Sequence, residues 1–256
     1  MTLESLAADL FAARATRTPI GPIRLADPSL DIDGAYAIQK ANIDRLLAGG
    51  AWRVGRKIGL TSLAVQKQLG VDQPDFGVLL DGMVRTADRP LDLAELIAPR
   101  IEGEIVFRIG RDITEPGLPT EALAGHVEAV AAGFEIVDSA IAGWDISIID
   151  TIADNASCGV FVIGPWQPYA TGRDLKSPAM TLTRDGEVVS TGSGAASLGD
   201  PLQALAWLAE TAIRMGDPLR ASELVLGGAL GPMIPLTAGD YDLAIDGFPP
   251  LRVRAA

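Results

Sequence analysis

Residues 100–109 read RIEGEIVFRI, and this stretch is the most informative about the fold because its side chains alternate with a period of two. One set is apolar or small: Ile101, Gly103, Ile105, Phe107 and Ile109. The other set is mostly charged: Glu102, Glu104, Val106 and Arg108. Successive side chains of a strand point to opposite faces, so the stretch predicts a β-strand with one apolar and one polar face.

The polar face of this strand carries two carboxylates, Glu102 and Glu104, which lie roughly 7 Å apart on the same side. They fit either a solvated strand edge or half of a site for a hard cation such as Mg²⁺ or Mn²⁺, which prefers oxygen ligands. A cation site needs a third anion, and Glu135 is the candidate because it interrupts the apolar run of residues 134–137. A buried carboxylate is costly without a partner, and a metal is one such partner.

Helical patterns dominate the first 70 residues. Leu3, Leu6, Ala7, Leu10 and Phe11 have the spacing of an amphipathic helix. A second helix is predicted from Asp33 to Leu47, ending at Gly49-Gly50, and a short third helix over residues 63–69. Residues 73–77 (QPDFG) are predicted to form a turn.

Strands and helices mix in the remainder of the chain. A helix is predicted from Thr120 to Gly133, with His126 as a structural residue on it, and another from Asp200-Pro201 to Gly216. Residues 180–183 and 188–191 flank a hairpin turn. Further strands are expected at residues 134–137, 160–163, 224–226, 241–245 and 251–253. Without any repeat or linker, this mixture indicates one α+β domain spanning residues 1–256.

Two other places carry candidate chemistry. Lys57 lies in a predicted short strand, residues 55–60, where a lysine either extends to water or serves a site. Residues 154–159 (DNASCG) place small polar groups in a loop before a buried strand, which suits either ligand contacts or ordinary turn formation. The glycines at 192 and 194 lack the third glycine and the strand-to-helix context of a dinucleotide fingerprint, so that site is rejected.

Composition limits the classes of function. The chain of 256 residues has a formal net charge of −12, which disfavours binding to nucleic acid or to an anionic membrane. The single cysteine, Cys158, excludes an intrachain disulfide, and the single histidine, His126, excludes every multi-histidine metal site. The N-terminus lacks the basic start and apolar stretch of a signal peptide, so a cytoplasmic protein is expected.

Several motifs, taken in order, resemble the 2-hydroxypentadienoate (2-keto-4-pentenoate) hydratases of the fumarylacetoacetate hydrolase superfamily. They are AYAIQ (35–39), GRKIGLT (55–61), LGVDQPDFG (69–77), PRIEGEI (99–105), DTIADNASCG (150–159), GALGPM (228–233) and TAGD (237–240). Together they cover residues 35–246. The resemblance implies a mixed β-rich roll of the fumarylacetoacetase C-terminal-domain type: a helical N-terminal portion, residues 1–70, and a metal-binding core, residues 71–256.

The resemblance also implies a set of site residues. It places Mg²⁺ or Mn²⁺ on Glu102, Glu104 and Glu135. It also implies that Lys57, Asp75, Asn155 and Ser157 line the pocket, with Lys176 as a further candidate. We expect Lys57 and Asp75 to be catalytic and the other three to bind substrate. One departure is visible: relatives often have an arginine after Asp138-Ser139, where this chain has Ala140.

The implied reaction is hydration of 2-hydroxypenta-2,4-dienoate in meta-cleavage catabolism of aromatic compounds. The dienol acid takes a proton at C5, water adds at C4, and reprotonation at C3 gives 4-hydroxy-2-oxopentanoate. Lys57, expected to have a lowered pKa, and Asp75 are the predicted proton carriers. Homo-oligomers and association with a downstream pathway enzyme are implied. Two alternatives stay open: a 4-oxalocrotonate-type decarboxylase, and a non-catalytic partner that stabilises a pathway enzyme.

Overall fold

The computed structural model describes residues 2–62, residue 66 and residues 71–256. The predicted helix over residues 63–69 lies outside this description. Six α-helices are described: α1 (Leu3–Thr16), α2 (Ile23–Ala26), α3 (Ile32–Ala48), α4 (Thr120–Ala124), α5 (Ile148–Ala153) and α6 (Pro201–Arg214). None of the described helices has the length and apolar character needed to cross a membrane.

The strands are β1 (Arg53–Gly59), β2 (Asp75–Leu80), β3 (Val84–Arg85), β4 (Pro99–Ile109), β5 (Val127–Asp138), β6 (Cys158–Ile163), β7 (Gln167–Pro168), β8 (Ala179–Arg184), β9 (Glu187–Ser193), β10 (Leu224–Ala229), β11 (Ile234–Pro235), β12 (Gly239–Ile245) and β13 (Leu251–Ala255). The larger sheet has the order β2-β1-β10-β4-β5-β6-β3, with β11 added beside β4 and β7 beside β5. The smaller sheet has the order β13-β12-β8-β9. The predicted α+β class with a helical N-terminal portion is confirmed.

The helical N-terminal portion forms its own apolar cluster. In both long helices the residue before the first turn provides the cap: Thr2 accepts a hydrogen bond from Ser5 N–H, and Asp31 from Gly34 N–H. Buried side chains of α1, α3 and α5 pack together, among them Leu6, Ile38 and Ile152. This packing attaches the helices to the turn that follows α5, which forms part of the site described below.

Strand β4 lies in the interior of the larger sheet, where both of its faces are buried. Its apolar face packs against the smaller sheet so closely that a Cβ on Gly103 would lie 2.5 Å from Leu243 Cδ1. Its polar face is equally enclosed, because Glu102 is 8% exposed and Glu104 is 0% exposed. The solvated-edge interpretation of this pair is therefore wrong.

The segment from Thr120 to Gly133 departs from the prediction of a single helix. Helix α4 ends at Ala124, His126 lies in the turn that follows, and β5 begins at Val127. Residues 127–137 are rich in Val and Ala and are nearly all buried. A short apolar run of this kind has no periodicity that separates helix from strand. Pairing with β4 on one side and β6 on the other selects the strand.

The predicted turn at residues 73–77 is also partly wrong, because β2 already begins at Asp75 and pairs with β1. The hairpin prediction is confirmed: β8 and β9 are joined by Asp185 and Gly186, both with positive φ as a type I′ turn requires. Helix α6 is confirmed as well, with the Asp200 side chain accepting a hydrogen bond from Leu202 N–H.

Candidate metal and substrate site

Three buried carboxylates meet at the centre of the larger sheet. Glu102 and Glu104 lie on the polar face of β4, and Glu135 lies on β5 directly opposite Glu102 in the antiparallel register. Directly opposed residues point to the same face of a sheet. Each of the three glutamates offers a carboxylate oxygen, and these atoms all lie within 4.8 Å of one another. The register therefore produces a compact group of oxygen donors.

The carboxylates have few protein partners. Glu104 Oε2 accepts a hydrogen bond of 2.9 Å from Gly228 N–H. Within the described part of the chain, Glu104 Oε1 and Glu135 Oε2 are buried without a hydrogen-bond partner. Buried polar atoms in folded proteins are nearly always satisfied, so these two oxygens are suited to bind a cation. The hydrogen bond from Gly228 depends on a register break in β10 between Leu226 and Ala229, a bulge of the kind common beside active sites.

Crowding of like charges changes the acidity of these groups. Burial, together with the charge of Glu135, raises the pKa of Glu102 to about 8. Burial, together with the charges of Glu135 and Glu102, raises the pKa of Glu104 well above its ordinary value. In the metal-free protein, protonation is therefore one way to relieve the repulsion, and a bound divalent cation is the other.

Lys57 reaches the carboxylates from β1. Its Nζ lies 3.2 Å from Glu135 Oε1, and both side chains are buried. Burial acts to lower the pKa of Lys57, but the negative charges around it, Glu135 first, outweigh burial and raise the pKa. In the metal-free protein the ammonium form is thus stabilised, contrary to the expectation of a lowered pKa.

Asp75, the first residue of β2, lies beside Lys57. The two strands pair so that Asp75 is opposite Gly59, and a Cβ on Gly59 would collide with Asp75 Oδ1 and lie 3.4 Å from Lys57 Nζ. Glycine at position 59 therefore leaves the space that the Asp75 carboxylate occupies. Burial raises the pKa of Asp75, and the charge of Lys57 and the nearby Thr151 side chain oppose part of that rise. Among the described residues, neither buried carboxylate oxygen has a hydrogen-bond partner of normal geometry.

A cavity of about 350 Å³ opens onto these groups. Its polar lining includes Lys57, Asp75, Glu102 and Ser157. Its apolar lining includes Ile58, Val137, Trp144, Ile146, Pro232 and Met233. Cavities of about 300–1,000 Å³ with a few convergent polar groups are typical small-molecule sites.

Two of the predicted substrate-binding residues, Asn155 and Lys176, do not line the cavity. The side-chain amide of Asn155 is hydrogen-bonded to the β2 backbone: its Oδ1 accepts from Val78 N–H at 2.7 Å, and its Nδ2 donates to Val78 O at 2.9 Å. Lys176 is exposed in the loop before β8 and does not line the described cavity. The structure thus brings Ser157 to the cavity, but neither the Asn155 amide nor Lys176.

The turn that presents Ser157 has an unusual backbone. Asn155, Ala156 and Ser157 all have φ between 52° and 54°, in the left-handed region. The Ser157 hydroxyl lies 3.3 Å from Thr151 Oγ1. The preceding residue, Asp154, pairs with Arg14 of α1 at 2.8 Å and accepts from Ala140 N–H at 2.8 Å. The N-terminal helix therefore contributes to holding this turn.

Sequence reasoning missed several residues around the site. Trp144, Ile146 and Thr151 line the cavity, and Cys158 lies with its Sγ 3.9 Å from Glu135 Oε1. Thr151 and Cys158 lie within the motif at residues 150–159 but have side chains that are common in any core. Trp144 had a weak signal of its own, as a lone aromatic residue after glycine in the stretch AGWDIS, residues 142–147.

Comparison with known proteins identifies similar chains over nearly the whole length. Residues 72–255 match the family described as fumarylacetoacetate (FAA) hydrolase C-terminal. A protein of Paraburkholderia phymatum named 2-keto-4-pentenoate hydratase is 48% identical over 98% of this chain and 96% of its own length. A protein of Comamonas testosteroni named 2-hydroxyhexa-2,4-dienoate hydratase is 42% identical over 93% of this chain and 90% of its own.

Solved structures show the same fold with divalent ions. The 4-oxalocrotonate decarboxylase of Pseudomonas putida, complexed with magnesium and adipate, superposes with a TM-score of 0.95 at 28% identity and covers 99% of this chain and 97% of its own. Fumarylpyruvate hydrolase of Pseudomonas aeruginosa, in complex with Mn²⁺ and pyruvate, shares the fold with a TM-score of 0.60 at 19% identity, over 78% of this chain and 88% of its own. These neighbours and the three-glutamate cluster together support a divalent-metal site.

Proposed function

The chain belongs to the fumarylacetoacetate hydrolase family, within it to the 2-keto-4-pentenoate hydratases, and we propose that it adds water to 2-hydroxypenta-2,4-dienoate. The product is 4-hydroxy-2-oxopentanoate. The observation that carries the proposal is the cavity that places Lys57 and Asp75 beside the buried glutamate cluster. The names of relatives at 42–48% identity over nearly the full chain support this reaction over others of the family.

The glutamate cluster fits the ion that the family implies. Glu102, Glu104 and Glu135 supply only hard oxygen donors, and two of their oxygens have no hydrogen-bond partner in residues 2–62, 66 and 71–256. These three residues would hold Mg²⁺ or Mn²⁺. When bound, the ion supplies Lewis-acid stabilisation of negative charge on the carboxylate and C2 oxygen of the substrate.

Lys57 and Asp75 are the proposed proton carriers. The net reaction moves the enol proton away from O2, places protons on C5 and C3, and adds hydroxide from water to C4. The Lys57 ammonium, held by Glu135, has a proton to give. The Asp75 carboxylate, whose oxygens accept no hydrogen bond of normal geometry from the described residues, can accept a proton from water. A well-positioned carrier contributes about 10²–10⁴-fold to the rate.

The hydroxyl of Ser157 is the proposed polar contact for the substrate, because it lines the cavity with Lys57 and Asp75. Asn155 acts, in this proposal, by fixing the turn that carries Ser157 to the backbone of β2. Lys176 stays a prediction without a supporting contact among the described residues.

The proposal includes a homo-oligomeric assembly. Leu47 and Met215 are partly exposed and line the same surface groove beside α3. Exposed apolar side chains that lie beside charged ones in one groove are compatible with a contact to a second copy of the chain. Light scattering coupled to size-exclusion chromatography measures the assembly state directly, and a monomer across the micromolar range would contradict this part.

The decisive experiment follows the loss of dienol absorbance and identifies the product by NMR. Purified protein with Mg²⁺ or Mn²⁺ is expected to convert 2-hydroxypenta-2,4-dienoate to 4-hydroxy-2-oxopentanoate, and EDTA is expected to stop the reaction. The decarboxylase alternative rests on the close structural neighbour, and release of CO₂ from 4-oxalocrotonate would favour it. A protein that binds no divalent ion and leaves the dienol unchanged would instead be a non-catalytic partner.

A further inference from the structure

Trp144 has a backbone conformation that bulky residues rarely adopt. Its φ is 56°, in the left-handed region, and it follows Gly143 with φ 66° in a short 3₁₀ turn, residues 142–144. A bulky residue in this region is strained, and such strain persists only where the surroundings hold it. Strained residues of this kind cluster at functional sites, so the role of Trp144 requires an explanation.

Two contacts hold the indole in place. Its Nε1 donates a hydrogen bond of 2.9 Å to Ala98 O. The Arg100 guanidinium carbon lies 4.6 Å from the centre of the ring, which is the distance of a cation–π contact. The side chain is therefore fixed against the first residues of β4 rather than free to move with its exposed loop.

The same contacts place Trp144 next to the glutamate cluster. Arg100 precedes Glu102 by two residues on the polar face of β4, and it is paired with Val137, two residues beyond Glu135 on β5. At about 3.3 Å per residue, Arg100 and Val137 therefore lie about 7 Å along their strands from the opposed Glu102 and Glu135. Trp144 and Val137 both line the cavity, so they form the next layer of its wall after the carboxylates.

Apart from its charged groups, the cavity lining is apolar or small except for the hydroxyl groups of Thr61, Ser62, Thr151 and Ser157. Ile146 and Met233 accompany Trp144 and Val137 there. Among the described residues, the charged groups that line the cavity are Lys57, Asp75 and Glu102. Lys57 is already paired with Glu135, and Arg100, which stacks on the indole, is not among the residues that line the cavity. No described lining residue therefore offers a second cation to a ligand. The volume of about 350 Å³ also exceeds what a five-carbon acid fills.

We propose that Trp144 is a specificity-determining residue, the apolar wall against which the C5 end of the substrate packs. The enzyme then prefers 2-hydroxy-2,4-dienoates with an alkyl group at C5 over the analogue with a carboxylate there. This inference rests on the proposed hydratase reaction and names its substrate class. The carboxylate and C2 oxygen lie at the glutamate end, and the alkyl group contacts the indole, where a second carboxylate would lose water without gaining a partner.

The first test compares kcat/KM for 2-hydroxypenta-2,4-dienoate, its 5-methyl and 5-ethyl derivatives, and its 5-carboxylate. The wild type is expected to favour each alkyl derivative over the 5-carboxylate by at least about tenfold, the discrimination typical of an apolar pocket. Trp144→Ala is expected to reduce the 5-ethyl-to-parent ratio by about tenfold, and Trp144→Phe by less, because a ring remains. Trp52→Ala removes a largely exposed tryptophan that does not line the cavity and is expected to leave the ratio unchanged.

The second test measures binding without turnover. Calorimetry with Mg²⁺ compares 2-oxohexanoate with 2-oxoadipate, which have equal chain lengths but differ in the terminal carboxylate. Tighter binding of 2-oxohexanoate, reduced by Trp144→Ala, supports the proposal. Equal or tighter binding of 2-oxoadipate, or unchanged ratios in Trp144→Ala, overturns it. If the parent dienoate is not hydrated at all, the proposed function fails instead, and the calorimetry still decides whether Trp144 forms the wall.

Discussion

The Nζ of Lys57 lies 3.2 Å from Oε1 of Glu135, although the two residues belong to strands that are not neighbours in the sheet. Strands β10 and β4 separate β1 from β5. In a flat sheet the backbones would lie about 14 Å apart, three spacings of about 4.8 Å. The curl of the sheet and two inward side chains close that distance and bring the ammonium to the carboxylates.

Replacing Lys57 with Met is expected to impair both stability and turnover. Removing one partner of a buried ion pair leaves an uncompensated charge, so the free energy of unfolding in EDTA should fall by about 3–5 kcal/mol. Turnover with saturating Mg²⁺ should fall by about 10²–10⁴-fold. Urea denaturation and the dienol assay measure the two effects. Lys40→Met, which removes an exposed pair with Asp44, serves as the control and should change stability by less than about 0.5 kcal/mol.

Replacing Glu104 with Gln is expected to separate metal binding from folding. Because burial and like charges raise the pKa of Glu104, the amide resembles the protonated acid of the metal-free protein. Stability in EDTA should stay within about 1 kcal/mol of wild type. Residues that only hydrogen-bond to a metal ligand contribute about 10–100-fold to metal affinity. Loss of the ligand itself should therefore weaken Mg²⁺ binding by at least about 100-fold.

Calorimetry with Mg²⁺ and thermal denaturation in EDTA provide these two measurements. Glu128→Gln is the matched control, since Glu128 is also on β5 but exposed and paired with Arg108. Normal Mg²⁺ affinity in Glu104→Gln would remove Glu104 from the set of ligands.

Stability of the metal-free protein is expected to decrease as pH rises. The pKa of Glu102 is about 8 in the folded protein, against 4.5 in the unfolded chain. Between pH 4.5 and pH 8 the folded protein holds a proton on Glu102 that the unfolded chain has lost. The free energy of unfolding therefore falls by roughly 1.4 kcal/mol per pH unit for each such proton. Denaturation series in EDTA between pH 5 and 8 test this, and Glu102→Gln should flatten the slope.

Binding of Mg²⁺ should show the opposite pH dependence. The ion must displace the proton from Glu102 below about pH 8, so affinity should increase from pH 6 to pH 8. The rise in melting temperature on adding Mg²⁺ should therefore be larger at pH 8 than at pH 6. A Mg²⁺ affinity that is constant over this range would contradict the raised pKa.

Replacing Gly59 with Ala is expected to reduce turnover through Asp75. The new Cβ would collide with Asp75 Oδ1, so the carboxylate must move away from Lys57. A displaced proton carrier should cost about 10²-fold or more in kcat, while Mg²⁺ affinity stays close to wild type. Gly82→Ala, where no atom lies within 4 Å of the added Cβ, is the control.

Asn155 and Ser157 should respond differently to replacement by Ala. Asn155→Ala leaves Val78 N–H and O without their partner, so the free energy of unfolding should fall by about 1–3 kcal/mol. Ser157→Ala should raise KM for the dienoate with a smaller effect on stability. Urea denaturation and steady-state kinetics of both variants distinguish the two roles. A raised KM in Asn155→Ala with normal stability would instead place its amide at the substrate.

Local patterns predicted much of the secondary structure. The alternation at residues 100–109 identified β4, the turn residues Asp185-Gly186 identified the hairpin, and Asp200-Pro201 identified the start of α6. Each of these signals acts within a few residues. The prediction of a helix through Val127 and Val130 was wrong because an apolar run of that length packs equally well in either form until its neighbours are known.

The spacing of Glu102 and Glu104 alone was enough to indicate a possible hard-cation site, because two glutamates spaced by two on a strand must share a face. That this face is buried and opposed by Glu135 followed only from the folded arrangement, because pairing in the interior of a sheet depends on contacts between distant segments. The same holds for Trp144, whose place beside the carboxylates follows from a hydrogen bond to Ala98, 46 residues earlier in the chain.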